Sequence, residues 1–216
     1  MRLYEFENEE DIGKKIAEFI LKNCQQWLRE SGDGEFVVYR GVRGMTGKKY
    51  FTKPIRTDRR PKDSSESQHR FFQMLLHAAG ATADRENSAF VISREGIAEQ
   101  YGDAFVFMPV GDFDYTFLNP SLHIEDWYEN PREIALTFVK DEYYKLWNDA
   151  TDSDASFADL LKIGPKVLDE SMFKHIIRNK NLTQAHDTEI MILADKGLYI
   201  DQHIYNEQVM PIIFLR

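Results

Sequence analysis

Seven consecutive apolar residues, Ala104-Phe105-Val106-Phe107-Met108-Pro109-Val110, stand between Gly102 and the turn at Gly111-Asp112, and a run that short and that apolar reads as a strand. Comparable runs recur towards both ends of the chain. Phe36-Val37-Val38-Tyr39, Ser88-Ala89-Phe90-Val91-Ile92-Ser93 and Asp114-Tyr115-Thr116-Phe117 precede the middle; residues 189–194, 198–205 and 209–215 follow it. Between them, residues 125–177 are helical in character, with Pro131 near a helix start and a break over 152–156. Strands on both sides of a helical middle predict an α+β domain, and nothing in the sequence marks a linker or a repeat that would divide residues 1–216.

Ahead of the first strand, Ile12, Ile16, Phe19, Ile20, Cys24 and Leu28 recur at intervals of three and four, which predicts one amphipathic helix over 11–29 ended by Ser31-Gly32-Asp33-Gly34. Residues 43–70, with Pro54, Pro61, Arg56, Arg59, Arg60 and Lys62, read as one long polar loop. A helix over 71–79 and a helical turn over 95–101 complete the pattern, and residues 1–35 form a helical layer before a core of 36–216.

Charge and cysteine content narrow the function classes. With 36 carboxylates against 27 Lys and Arg the net charge is −9, which disfavours duplex DNA or an anionic membrane as a bulk partner. The lone Cys24 excludes an internal disulfide and any multi-cysteine zinc site, and the six histidines form no metal-binding spacing, so no metal is expected. No window approaches 18 apolar residues and the N-terminus lacks a secretory pattern; a cytoplasmic protein without membrane contact is the expectation. Residues 41–49 lack the order of a phosphate-binding P-loop, and no G-x-S-x-G elbow is present.

Three strands carry a polar residue where the apolar run stops. Tyr39-Arg40-Gly41 follows the first, Ser93 ends Phe90-Val91-Ile92, and Asp187-Thr188-Glu189 opens Ile190-Met191-Ile192. A strand end fixes the backbone while leaving the side chain to face a cleft. In order and separation this set resembles the ADP-ribosyltransferases of the arginine–serine–glutamate type, which include bacterial toxins and phage-encoded modifying enzymes. The likeness runs from Phe36 to the C-terminus. It departs from the family at Ile92-Ser93-Arg94, where Ser-Thr-Ser is common, and at Asp187, where Glu or Gln is usual.

That resemblance implies two packed, mostly antiparallel sheets with surrounding helices, NAD as substrate, and transfer of ADP-ribose to a protein side chain, RNA or DNA. It assigns Glu189 as the carboxylate that promotes loss of nicotinamide, Ser93 as its orienting hydroxyl and Asp187 as the residue facing the acceptor. Arg40 is matched to the pyrophosphate, with Tyr39 and Gly41 beside the nicotinamide and Arg85 a further phosphate contact. The chemistry suits those residue types, since a fixed carboxylate stabilises an oxocarbenium-like ribose and a guanidinium fork matches a pyrophosphate.

Plainer readings stand beside these. Arg40 has the character of a strand-end charge, Ser93 before Arg94-Glu95 that of a helix N-cap, and Asp187 and Glu189 that of two carboxylates on one face of a solvated edge strand. The stretch 58–65, with Arg56 just before it, reads as a solvated loop or as a phosphate-facing or acceptor-facing flap. Phe105, Phe107 and Phe117 are expected in the core, with Tyr101, Phe113 and Tyr115 at the rim of a site. The rival functions are an NAD glycohydrolase in the same pocket and an inactive binding module on the same fold.

Overall fold

The structure is a computed structural model and describes residues 9–32, 36–60, 64–120, 131–149 and 153–214. In chain order the elements are α1 (Glu9–Asn23), α2 (Gln25–Glu30), β1 (Tyr39–Val42), β2 (Tyr50–Pro54) and α3 (Glu66–Ala78). Next come β3 (Ala89–Val91), α4 (Glu95–Ala98), β4 (Asp103–Val110), β5 (Asp114–Leu118), α5 (Pro131–Thr137), α6 (Asp141–Asp149) and α7 (Ser153–Ile163). The chain closes with β6 (Ile176–Arg178), β7 (Ile190–Leu193), β8 (Lys196–Asp201), α8 (Gln202–Ile204), a π-helical turn (Tyr205–Val209) and α9 (Met210–Phe214). The α+β class is correct, with two four-stranded antiparallel sheets among the described residues.

These elements group into two compact units, each assembled from separate stretches of chain. The first takes Met1–Pro54, Arg94–Phe113 and Ala194–Arg216. Its sheet runs β1-β4-β8-β2. β4 lies second in that order and is buried from Phe105 to Val110, which is why its sequence is apolar without alternation. Tyr199 of β8 meets Phe107 edge-on at 5.3 Å and stacks on Phe51 of β2 at 4.7 Å. The single helix expected over 11–29 is broken at Cys24, which leaves helical geometry between α1 and α2 and is fully buried. Burial pushes the Cys24 thiol up to about 12, with nearby Lys196 acting the other way. Beyond the break, the Gln26 amide clasps the Phe113 backbone, accepting from its N–H at 2.9 Å and donating to its carbonyl at 2.8 Å.

The second unit takes Ile55–Ser93 and Asp114–Leu193, with a sheet ordered β3-β7-β5-β6. Its core is built on α3, whose start is fixed by a reciprocal cap: the Ser65 hydroxyl accepts from the Gln68 amide while the Gln68 side chain accepts from the Ser65 N–H. Phe71, Phe72, Trp147 and Phe157 then interlock, Trp147 and Phe157 edge-on at 4.7 Å.

Four expectations need correction. The loop over 43–70 contains β2 and the first residues of α3. The first strand is Tyr39–Val42, three residues later than the run 36–39 predicts. The strand over 198–205 stops at Asp201, whose side chain accepts from the Ile204 amide and starts a helix. The run 209–215 is helical as far as it is described, because an apolar stretch of that length fits either a strand or a helix that packs along a neighbour, here α1.

Candidate active site

β3 and β7 pair antiparallel with Ala89 opposite Ile192, Phe90 opposite Met191 and Val91 opposite Ile190. Antiparallel pairing makes the exit of one strand the entrance of the other, so Ser93, just past β3, and Asp187-Thr188-Glu189, just before β7, fall at the same end of the pair. The Ser93 Oγ accepts a hydrogen bond from the Asp187 backbone N–H at 3.0 Å. A hydroxyl that accepts in this way keeps its own proton to donate. Two of the three sequence motifs are therefore joined in one place.

That geometry corrects two of the plainer readings. α4 is capped by Arg94 with no side-chain cap bond, and the Ser93 hydroxyl serves Asp187 instead. Asp187 and Glu189 do not alternate along a strand, because β7 begins at Ile190 and Asp187 lies in a turn with φ +59°. Few side chains adopt left-handed backbone, and Asp is among those that do. Asp187 is exposed, Thr188 buried and Glu189 half-buried at the mouth of the strand.

The opposite end of β3 is fixed by the turn that leads into it. The Asp84 Oδ1 accepts from the Glu86 and Asn87 amides at 2.8 and 3.1 Å, and its Oδ2 lies 2.9 Å from His77 Nε2. Burial alone would raise the Asp84 carboxyl, but its bonds to Gln73, His77 and the two amides outweigh this and hold it below the usual range. His69 is 4% exposed, with its Nε2 3.1 Å from Glu86. Arg59 places its guanidinium 4.3 Å over the Phe90 ring and donates from Nη1 to the Ser88 carbonyl at 3.0 Å. A turn held in this way fixes where β3 begins, and so where Ser93 ends it.

Arg85 corrects the expectation of an open phosphate contact, since it is 2% exposed with its guanidinium 5.6 Å from the Phe72 ring and 5.9 Å from the Phe90 ring. A cation over two aromatic faces is packing within the second unit. Of the expected rim aromatics, Tyr101 is 42% exposed, while Phe113 and Tyr115 are buried. Phe105, Phe107 and Phe117 are core residues as expected. In the basic stretch, Arg56 pairs with Asp58 at 3.0 Å, and Lys62 lies outside the described residues.

The third motif is on β1 of the first unit. Arg40 is half-buried and sits inside the strand opposite Phe105, not at its end. Tyr39 is half-buried as well, and its hydroxyl accepts from the Gln202 amide at a long 3.5 Å. Burial raises the Tyr39 phenol first, with the Gln202 bond lowering it and Glu95 adding to the rise; burial takes the neighbouring Tyr205 up to about 12. Gly41 has a packing reason to be glycine, because a Cβ there would stand 2.1 Å from the Ala98 carbonyl and 2.9 Å from the Tyr101 Cβ. Gly102, at φ +145°, completes that contact: a Cβ on it would meet the Val42 carbonyl carbon at 2.6 Å.

Among the described residues, no group of three His, Cys, Asp or Glu side chains could hold a metal ion, and no helix is long and apolar enough to cross a membrane. No family model matches the chain, and neither a curated protein nor a solved structure matches it.

Proposed function

We propose that this chain is a mono-ADP-ribosyltransferase, and the observation that carries the proposal is the Ser93–Asp187 hydrogen bond, which joins the serine and acidic motifs at one end of the β3–β7 pair. In the proposed reaction the bond between the nicotinamide nitrogen and ribose C1′ breaks, and its electron pair leaves with nicotinamide. The Glu189 carboxylate stabilises the oxocarbenium-like ribose and holds its 2′-hydroxyl. The acceptor attacks C1′ with its lone pair, and Asp187, exposed on its turn, takes the proton that the acceptor gives up. Ser93 sets the approach of that turn, and a guanidinium such as that of Arg40 matches a pyrophosphate through two parallel N–H donors. Tyr39 and Gly41 carry the Arg40 backbone, and Arg85 supports β3 from within.

The test is incubation with NAD labelled in its adenylate part and a cell lysate separated afterwards into protein, RNA and DNA. Label is expected on one macromolecular fraction with the intact chain. Glu189→Gln is expected to lose at least about a hundredfold in nicotinamide release while keeping most of the NAD affinity, because it removes charge aimed at the transition state. Unchanged release by that variant ends the proposal. Free nicotinamide without transfer selects the glycohydrolase, and absence of NAD binding selects the inactive module.

A further inference from the structure

Charge is unevenly placed along this acidic chain. Residues 36–54 hold five cations, Arg40, Arg43, Lys48, Lys49 and Lys53, and no carboxylate, leaving 22 cations against all 36 carboxylates elsewhere. The end of that segment forms β2, last in the sheet order; Tyr50, Thr52, Lys53 and Pro54 of the strand, and Lys48 and Lys49 just before it, are all exposed. Lys196 of β8, opposite Pro54, is exposed too and extends the strip. β2 is held from the sheet side, by pairing with β8 and by the Phe51–Tyr199 stack at 4.7 Å. Arg43 and Thr46 instead share an open recess with Glu99 and Asp103, and Thr46 Oγ1 donates to Asp103 at 2.9 Å.

We propose that the β2 edge is a binding strip for single-stranded nucleic acid, with Lys48, Lys49 and Lys53 on the phosphates and Tyr50 stacked on a base. Three observations separate this occupant from others. Lysines and a proline on an edge strand oppose the addition of a further peptide strand, Pro54 having no N–H to offer. A ring 40% exposed among cations is the pairing of features that holds unstacked bases. Alternation within β2 puts Tyr50 and Lys53 towards opposite faces, Lys48 and Lys49 lie just before the strand, and the long lysine stems let the ammonium groups reach a backbone that follows the edge. This binding goes beyond the transferase reading and needs no NAD.

Fluorescence anisotropy with a labelled oligouridylate of about 12 nucleotides, without NAD, tests it between about 50 and 200 mM salt. Saturable binding is expected, steep in salt, and the triple variant Lys48→Gln/Lys49→Gln/Lys53→Gln should lower the log–log salt slope by about 2. Tyr50→Ala should weaken binding roughly 5- to 150-fold. Lys180→Gln, an exposed lysine on the other unit, is the control and should bind as the parent does. Oligothymidylate binding alongside the RNA supports the shared backbone-and-base chemistry. No saturable binding at the lowest salt, or parental binding by the triple variant with its melting temperature unchanged, overturns the proposal. So does a duplex of equal length binding as tightly, or polyglutamate displacing the oligonucleotide charge for charge, which would reassign the strip to duplex or to an acidic protein.

Discussion

β2 and β3 are both terminal strands of their sheets, and they manage that position in opposite ways. β3 is short and apolar, with Ala89 and Val91 buried and Phe90 under the Arg59 guanidinium at 4.3 Å. β2 is exposed at four of its five residues. An open edge invites pairing with other chains, and a protein either covers it or charges it. Covering suits a strand whose end must place a functional group, because each buried contact restricts where Ser93 and Asp187 meet. Charging leaves a surface hydrated and free to exchange partners. The difference gives the two edges different roles, β3 as a support and β2 as a contact surface.

The largest break in that contrast should come from Asp84, which anchors the turn leading into β3. Asp84→Ala removes the acceptor of two backbone amides and of His77, at a cost of about 3 kcal/mol. Because the folded carboxyl lies below its usual range, its stabilisation is complete above the ordinary carboxylate pKa of about 4 and is lost as pH falls through the lowered folded value. Urea unfolding of Asp84→Asn is expected to show less loss of stability between neutral pH and about pH 3 than the parent. Parallel pH curves for the two proteins would remove Asp84 as the anchor.

A smaller effect compares the strands directly. Val91 is 2% exposed, and Val91→Ala should cost about 2 kcal/mol through two lost methyl groups and the space they leave. Thr52→Ala, on exposed β2, should stay within about 0.5 kcal/mol. Chemical denaturation measures both, and equal losses would mean that the β2 edge is as tightly packed as the β3 edge.

The same contrast decides what the sequence discloses. β3, β4 and β7 are legible because their neighbours bury them and their residues are apolar without interruption. β2 is hidden in Lys49-Tyr50-Phe51-Thr52-Lys53-Pro54, where only Phe51 turns to an aromatic partner and everything else is solvated. Residues 209–215 mislead in the other direction, since an apolar run carries no period to say which regular structure it adopts. At the site, the order of the Ser93 and Asp187-Thr188-Glu189 motifs is legible, but the left-handed turn at Asp187 is a backbone conformation that no side chain announces. Arg59 reads as a loop charge and Arg85 as a phosphate contact because a guanidinium laid over phenylalanine rings leaves no trace in local sequence.

A loss of stability smaller than that at Val91 is the one most informative about the site. Ser93→Ala removes a single neutral acceptor from the Asp187 amide and should cost about 1 kcal/mol, a shift of roughly 2–4 °C in melting temperature. Its consequence should instead be local, because the Ser93 hydroxyl is the acceptor that ties the Asp187 amide, on its turn at φ +59°, to the end of β3. Amide exchange at Asp187 is therefore expected to speed up much more than exchange along β7, which keeps its ladder to β3 and β5. Ser93→Thr, which keeps the hydroxyl, should restore the slow exchange. If Asp187 exchanges equally in all three proteins, the turn is fixed by other contacts, and Ser93 loses its positioning role while β3 keeps its structural one.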